Sequence, residues 1–251
     1  MKTTFLLKVN AILLILAILP ILCAAQEDGD GQGINDGDFV SESNRLFKNW
    51  NHGEAEIIAI GLTEPDQDKR TFTAGSIDED GSFDFQLPET VSTSVPVSSY
   101  SRPCTNYQEE IPDGSEVTLA YVGLYANQDG ETIGSLIPAK PVRAAYNMNV
   151  GNINNGNLGR YYVWVYADGD ASVQINCKKS VDMTDGKEVE YEDMEVEDRF
   201  NFHFKKGWNL IQAEVVDNIW VGLTKHYMER EWTVVSDFTA DVKWVFRATP
   251  D

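Results

Sequence analysis

Arg160 to Cys177, RYYVWVYADGDASVQINC, constrains the fold of this chain more than any other stretch. Tyr161 to Tyr166 is an unbroken run of aromatic and β-branched residues, as expected of a strand buried on both faces. Asp168-Gly169-Asp170 is a turn signal. Val173-Gln174-Ile175-Asn176 then alternates, the pattern of a strand that is wet on one side. The stretch reads as a hairpin at the centre of a β-sandwich, tied to the rest of the chain through Cys177.

The same pattern recurs along the sequence. Ala55 to Leu62 is apolar and stops at Glu64-Pro65-Asp66. Asp80-Gly81 is a hairpin dipeptide, after which Phe83, Phe85 and Leu87 alternate until Pro88 ends the strand. Val117 to Ala126 reads as a strand that turns at Asn127-Gln128-Asp129-Gly130. Phe200, Phe202 and Phe204 face inward between Asn201 and His203, and Lys206-Gly207 turns the chain into Trp208 to Val216. Trp232 to Val235 and Val242 to Phe246 read as a last pair. Thr90 to Arg102 and Pro138 to Leu158 read as connections, and Ile219 to Tyr227 admits a short helix. Since no window sustains a helical period, the expected class is all-β: an antiparallel β-sandwich of about a dozen strands. Residues 51–251 form it, as one sandwich or as two lobes divided near 104–116.

Residues 1–25 read as a signal peptide. Lys2 and Lys8 precede an apolar run from Ala11 to Leu22, and Cys23-Ala24-Ala25 offers small residues before a cleavage point. The run is shorter than the roughly 20 residues a membrane-spanning helix needs. Cys23 also raises a lipid-anchor reading, although Leu22 is larger than the residue such sites want. The expected destination is therefore secreted or cell envelope, with the leader cleaved. Cleavage removes two lysines and no acids, so the net charge moves from −20 to −22. Such a surface repels nucleic acid and anionic membrane alike. Residues 26–50 are expected to be an acidic flexible linker, with Arg45 to Trp50 the first piece able to dock. Cys104 and Cys177 are the pair left in an oxidising compartment and are expected to form a disulfide.

The segment from Gly53 to Pro88, ending in D-G-S-F-D-F-Q-L-P, resembles the transthyretin-like or carboxypeptidase-regulatory type of β-sandwich. More broadly, YVWVYADGDASVQINC followed by FHFKKGWNLI is similar to uncharacterised secreted and lipoprotein sequences of bacteria, Deinococcus-like ones among them. These likenesses imply export and β-architecture. They carry over no catalytic residue, and the poor lipid site at Cys23 departs from the lipidated members.

Candidate chemistry is sparse. Asp28, Asp30 and Asp36 place carboxylates between glycines, an arrangement that suits calcium. Phe39, however, stands where an EF-hand would carry its bidentate Glu. No other cofactor is expected. The three histidines, His52, His203 and His226, are scattered, and neither G-x-S-x-G nor H-E-x-x-H occurs. The chain is therefore read as no enzyme. Trp164, Trp208, Trp232 and Trp244 fall inside strand patterns, whereas Trp50 and Trp220 lie outside them and are the ligand-binding candidates. The expected function is a cell-surface or extracellular structural or binding module, with a carbohydrate- or calcium-binding adhesion module as the alternative. Its partner would be a cell-envelope protein or polysaccharide.

Overall fold

The computed structural model describes residues 37–41, 45–62, 70–100, 104–105, 114–148, 156–181, 194–221 and 224–249. The order is β1 Phe39–Val40, β2 Ala55–Leu62, β3 Arg70–Ile77, β4 Phe83–Phe85 and β5 Val95–Pro96. After a single 3-10 turn, Val97–Tyr100, come β6 Thr118–Gln128 and β7 Glu131–Lys140. A second 3-10 turn, Val142–Asn147, leads to β8 Gly159–Ala167 and β9 Ala171–Val181. The chain ends through β10 Met194–Phe204, β11 Gly207–Val221, β12 Thr224–Val235 and β13 Lys243–Ala248.

All 13 strands join one hydrogen-bonded network that is not closed, in the order β4-β3-β2-β6-β7-β8-β11-β12-β10-β9. β13 is attached to β7 and β1, and β5 to β6. Among the described residues every ladder is antiparallel except β10 with β12, which runs parallel from Glu197↔Glu229 to Asn201↔Thr233. The class is all-β, as the alternation of the sequence requires.

Two apolar clusters hold the layers together. The first gathers Phe47, Ile57, Ile77, Phe83, Trp244 and Phe246 from both chain ends and β2 to β4. The second places Leu119, Val165 and Ile211 against Val173, Phe202 and Phe204. Its members on β8 and β9 share no ladder, so they meet face to face rather than edge to edge. Here the central hairpin differs from expectation. β8 pairs with β6, β7 and β11, while β9 pairs with β10, so Asp168 to Asp170 is an arch from one layer to the other. Side chains close it in place of a ladder. Asp168 accepts from the Thr118 backbone N–H at 2.9 Å, and Asp170 accepts from the Lys206 N–H at 2.9 Å. The Lys206-Gly207 turn is also no hairpin, because β12 is inserted between β10 and β11.

Three further expectations are corrected. Ile219 to Tyr227 holds no helix among its described residues, as β11 runs to Val221 and β12 starts at Thr224. Trp232–Val235 and β13 do not pair, since β13 lies on β7 with Trp244 opposite Pro138. Part of the stretch read as a flexible linker is folded in: Phe39–Val40 pairs with Phe246 and Val245, while Phe47, in the piece expected to dock, is fully buried. Gly81 explains that docking. Its φ is +84°, and a Cβ there would lie 2.2 Å from the Phe47 carbonyl oxygen. The hairpin glycine thus also opens the seat for the Arg45–Trp50 segment.

Candidate functional site

The sulfurs of Cys104 and Cys177 are bonded, with their Cα atoms 4.9 Å apart. Thr105 follows and donates its N–H to the Lys178 carbonyl at 2.7 Å, which seats this loop on the outer edge of β9. Asp28, Asp30 and Asp36 lie outside the described residues. Within those described, no group of three or more His, Cys, Asp and Glu side chains is placed to share a metal ion.

Trp50 is buried, not presented to a ligand. Its ring centroid lies 5.0 Å from that of Phe246 and 5.2 Å from that of Phe39, and its indole N–H donates to the Gly53 carbonyl at 2.6 Å. The positive φ values of Arg45 (60°) and Asn49 (59°) turn this short segment so that Phe47 and Trp50 both point inward. A residue outside a clean strand is thereby core, and only the tertiary seat beside Gly81 reveals it.

The strongest polar constellation is one that sequence reasoning passed over. Asp198 reads as the last member of an acidic run, yet it is fully buried on the inner face of β10. It accepts from Arg230 Nε at 2.7 Å, Lys179 Nζ at 2.6 Å, Trp232 Nε1 at 2.9 Å and the Tyr227 hydroxyl at 3.3 Å. The Arg230 guanidinium lies 4.3 Å from the Tyr227 ring centroid and 4.6 Å from that of Trp232. Burial pushes the Asp198 carboxyl up, but Arg230 and then Lys179 outweigh it and hold the group at about 2. Burial raises the Tyr227 phenol to about 12. Both oxygens of Asp198 are committed, so the cluster is a fold-holding network with no free lone pair aimed at a substrate. On the opposite face of β10, Arg199 pairs with Glu197 at 2.9 Å and also with Glu229. The signal available in the sequence was period two: Asp198 shares its face with Val196, Phe200 and Phe202.

A shallow cleft of roughly 630 Å³ lies at the ends of β2, β3 and β6, where Glu54, Glu56, Asp78 and Asp129 contribute carboxylates. Glu56 already accepts from the Thr73 hydroxyl, and the Gln128 amide donates to the carbonyls of His52 and Glu54. Nothing there singles out a ligand. His203 is exposed beside Ser172, as its place between two inward phenylalanines implies.

Trp220 stands apart. β8 leaves β11 at the rung Gly159↔Val215, and β10 meets β12 no further out than Glu197↔Glu229. Beyond those rungs, among the described residues, Val216–Val221 and Thr224–Met228 have ladder partners only in each other, and Gly156 lies against this two-stranded ribbon, donating its N–H to the Lys225 carbonyl at 3.1 Å. Its root carries register shifts between Val215 and Asn218, and the Asn218 amide donates to the Gly156 carbonyl. His226, opposite Ile219, is buried under Gly156, and that burial lowers its pKa. The large hydrophobic side chains exposed among the described residues all belong to this end: Trp220 at 61%, Leu158 at 50%, Ile219 at 44% and Val216 at 40%. Leu158 precedes Gly159, the rung partner of Val215, and Val216 follows that partner. The Lys225 ammonium lies 5.0 Å above the Trp220 ring.

Searches against protein-family models, curated proteins and solved structures find no match to this chain. The class that fold and chemistry define is an all-β, disulfide-linked sandwich whose large exposed apolar side chains, among the described residues, gather at the β11–β12 end. The disulfide fits an oxidising compartment, and no helix among the described residues is long and apolar enough to cross a membrane.

Proposed function

We propose that this chain is an exported, non-catalytic β-sandwich module of the cell surface or extracellular space. It works by contact, and the contact is made through the β11–β12 ribbon. The observation that carries this reading is the exposure of Val216, Ile219 and Trp220 along the outer part of β11, while no other Trp, Tyr or Phe among the described residues is exposed. Exposed apolar side chains grouped at one place mark interaction sites, whereas those scattered singly need no account. The likeness to exported bacterial sequences and the basic, then apolar, N-terminus agree with action outside the cytoplasm.

Fractionation of producing cells tests it. The wild-type chain is expected with the cell envelope, and the Ile219→Ser/Trp220→Ala variant is expected in the medium. Equal partition of the two removes the ribbon as the contact. A carbohydrate- or calcium-binding adhesion module remains the second reading, because one exposed indole also suits sugar stacking. Calcium that raises the melting temperature by several degrees, reversed by chelation, would favour the calcium version and point to Asp28, Asp30 and Asp36.

A further inference from the structure

We infer that Gly156 and Asn157 form a latch at His226 that acid opens: the strap they make comes off the β11–β12 hairpin when the imidazole takes up a proton. The strap is held at two points. Asn147, buried at the end of the second 3-10 turn, donates its amide to the Asn157 carbonyl at 2.7 Å and accepts the Asn157 N–H at 3.1 Å. Gly156 is fastened to the hairpin itself, through its N–H to the Lys225 carbonyl at 3.1 Å and through its own carbonyl to the Asn218 amide. The approach is so close that a Cβ on Gly156 would lie 2.4 Å from the His226 carbonyl carbon. At this contact His226 is only 6% exposed, and its buried Nδ1 has no hydrogen-bond partner. A charged imidazole there would have neither water nor an acceptor.

The surroundings offer that charge no compensation. The sequence from Asn147 to Gly159 holds no ionisable side chain. On β11 the rung partner is Ile219, and Asp217, the next acid along that strand, is exposed at the register shift and accepts the Asn218 N–H at 2.8 Å. On β12, Lys225 is itself a cation, Tyr227 donates its hydroxyl to Asp198, and Glu229 pairs with Arg199. Burial accordingly lowers the His226 pKa. The latched form therefore takes up the proton less readily than an open one. Latching is at full strength above the ordinary imidazole value of 6.5 and weakens as the pH falls below it. Leu158, exposed next to the strap, ties the latch to the apolar set at this end of the molecule. The latch stands apart from the contact reading, and its test reads no binding.

Amide hydrogen exchange at Gly156 reads the latch directly, as protection relative to an unstructured glycine at the same pH. In wild type that protection is expected to fall several-fold from pH 7 to pH 5, up to about 25-fold, the most that one proton with an open-form value near 6.5 allows. His226→Phe cannot take up the proton and is expected to keep its protection over the same range. Wild-type protection that stays constant overturns the inference, as does an equal fall in the variant. If the variant does not fold, titration of the His226 ring protons in wild type decides: a midpoint below 6.5 with loss of Gly156 protection supports the latch, and a midpoint at or above 6.5 overturns it.

Discussion

The two ends of the β11–β12 hairpin break the same rule in opposite directions. At the inner end a carboxylate, Asp198, is buried against Arg230 and Trp232 of β12; at the outer end Trp220 and Ile219 of β11 stand in water. The inner violation is answered within the molecule, because four side chains donate to Asp198 and two of them are cations. The outer one is answered by nothing among the described residues except a lysine above one ring. Each exposed aliphatic or aromatic side chain forgoes roughly 1.5–3 kcal/mol of burial. A fold that supplies a buried carboxylate with so many partners can also shield an indole. The contrast therefore separates a feature that serves the fold from one that serves contact.

Removing the inner charge is the harshest way to test that contrast. Asp198→Asn keeps the shape but leaves Arg230 and Lys179 without their counter-charge, and should cost roughly 3–5 kcal/mol in a denaturant titration. A loss below about 1 kcal/mol would mean the rung is wetter than it looks. The disulfide stands on the same rung, since Cys177 and Arg230 flank Asp198 on its two sides. Replacing both cysteines with serine releases a 73-residue loop and should cost roughly 2–4 kcal/mol. Acid comes next in size. Folding lowers the Asp198 carboxyl from 3.8 to about 2. Its contribution, roughly 2 kcal/mol, is therefore complete above about pH 4 and is lost as the pH falls through 2. Wild type should show that extra slope between pH 4 and 2, and Asp198→Asn should lack it.

Much of the inner end was legible in the sequence, though not its meaning. Alternation placed Phe200, Phe202 and Phe204 inward, and parity alone sets Asp198 on their face, yet the charge density of the neighbouring run masked it. The pairing of Cys104 with Cys177 followed from there being only two cysteines outside the leader, and the structure bonds them. Strand partners were not legible. Neither Asp168-Gly169-Asp170 nor Lys206-Gly207 makes a hairpin, because a turn signal fixes where a chain reverses but not whether the next strand lies beside it or across the core. Trp50 and Trp220 looked alike in sequence, and only tertiary context separates them. Gly81 gives Trp50 a seat, while among the described residues the ladders of β8 and β10 onto this hairpin stop before Trp220.

The smallest expected effect is the most discriminating. Trp220→Ala removes the largest exposed side chain at the ribbon, and since it shields little from water, stability should change by no more than about 0.5 kcal/mol. A two-stranded ribbon is only marginally stable by itself. If Trp220 were holding this one together across Lys225, the variant would lose hydrogen-exchange protection at Ile219 and His226 and would melt earlier. Unchanged protection and melting, together with loss of contact, would place Trp220 wholly on the side of binding. Asp198→Asn should give the opposite result, with stability reduced and contact retained by the fraction still folded. Such a double dissociation requires the two ends of one hairpin to act independently. Their separation in the ladder, from the Asp198↔Arg230 rung to the Trp220↔Lys225 rung, makes that independence reasonable.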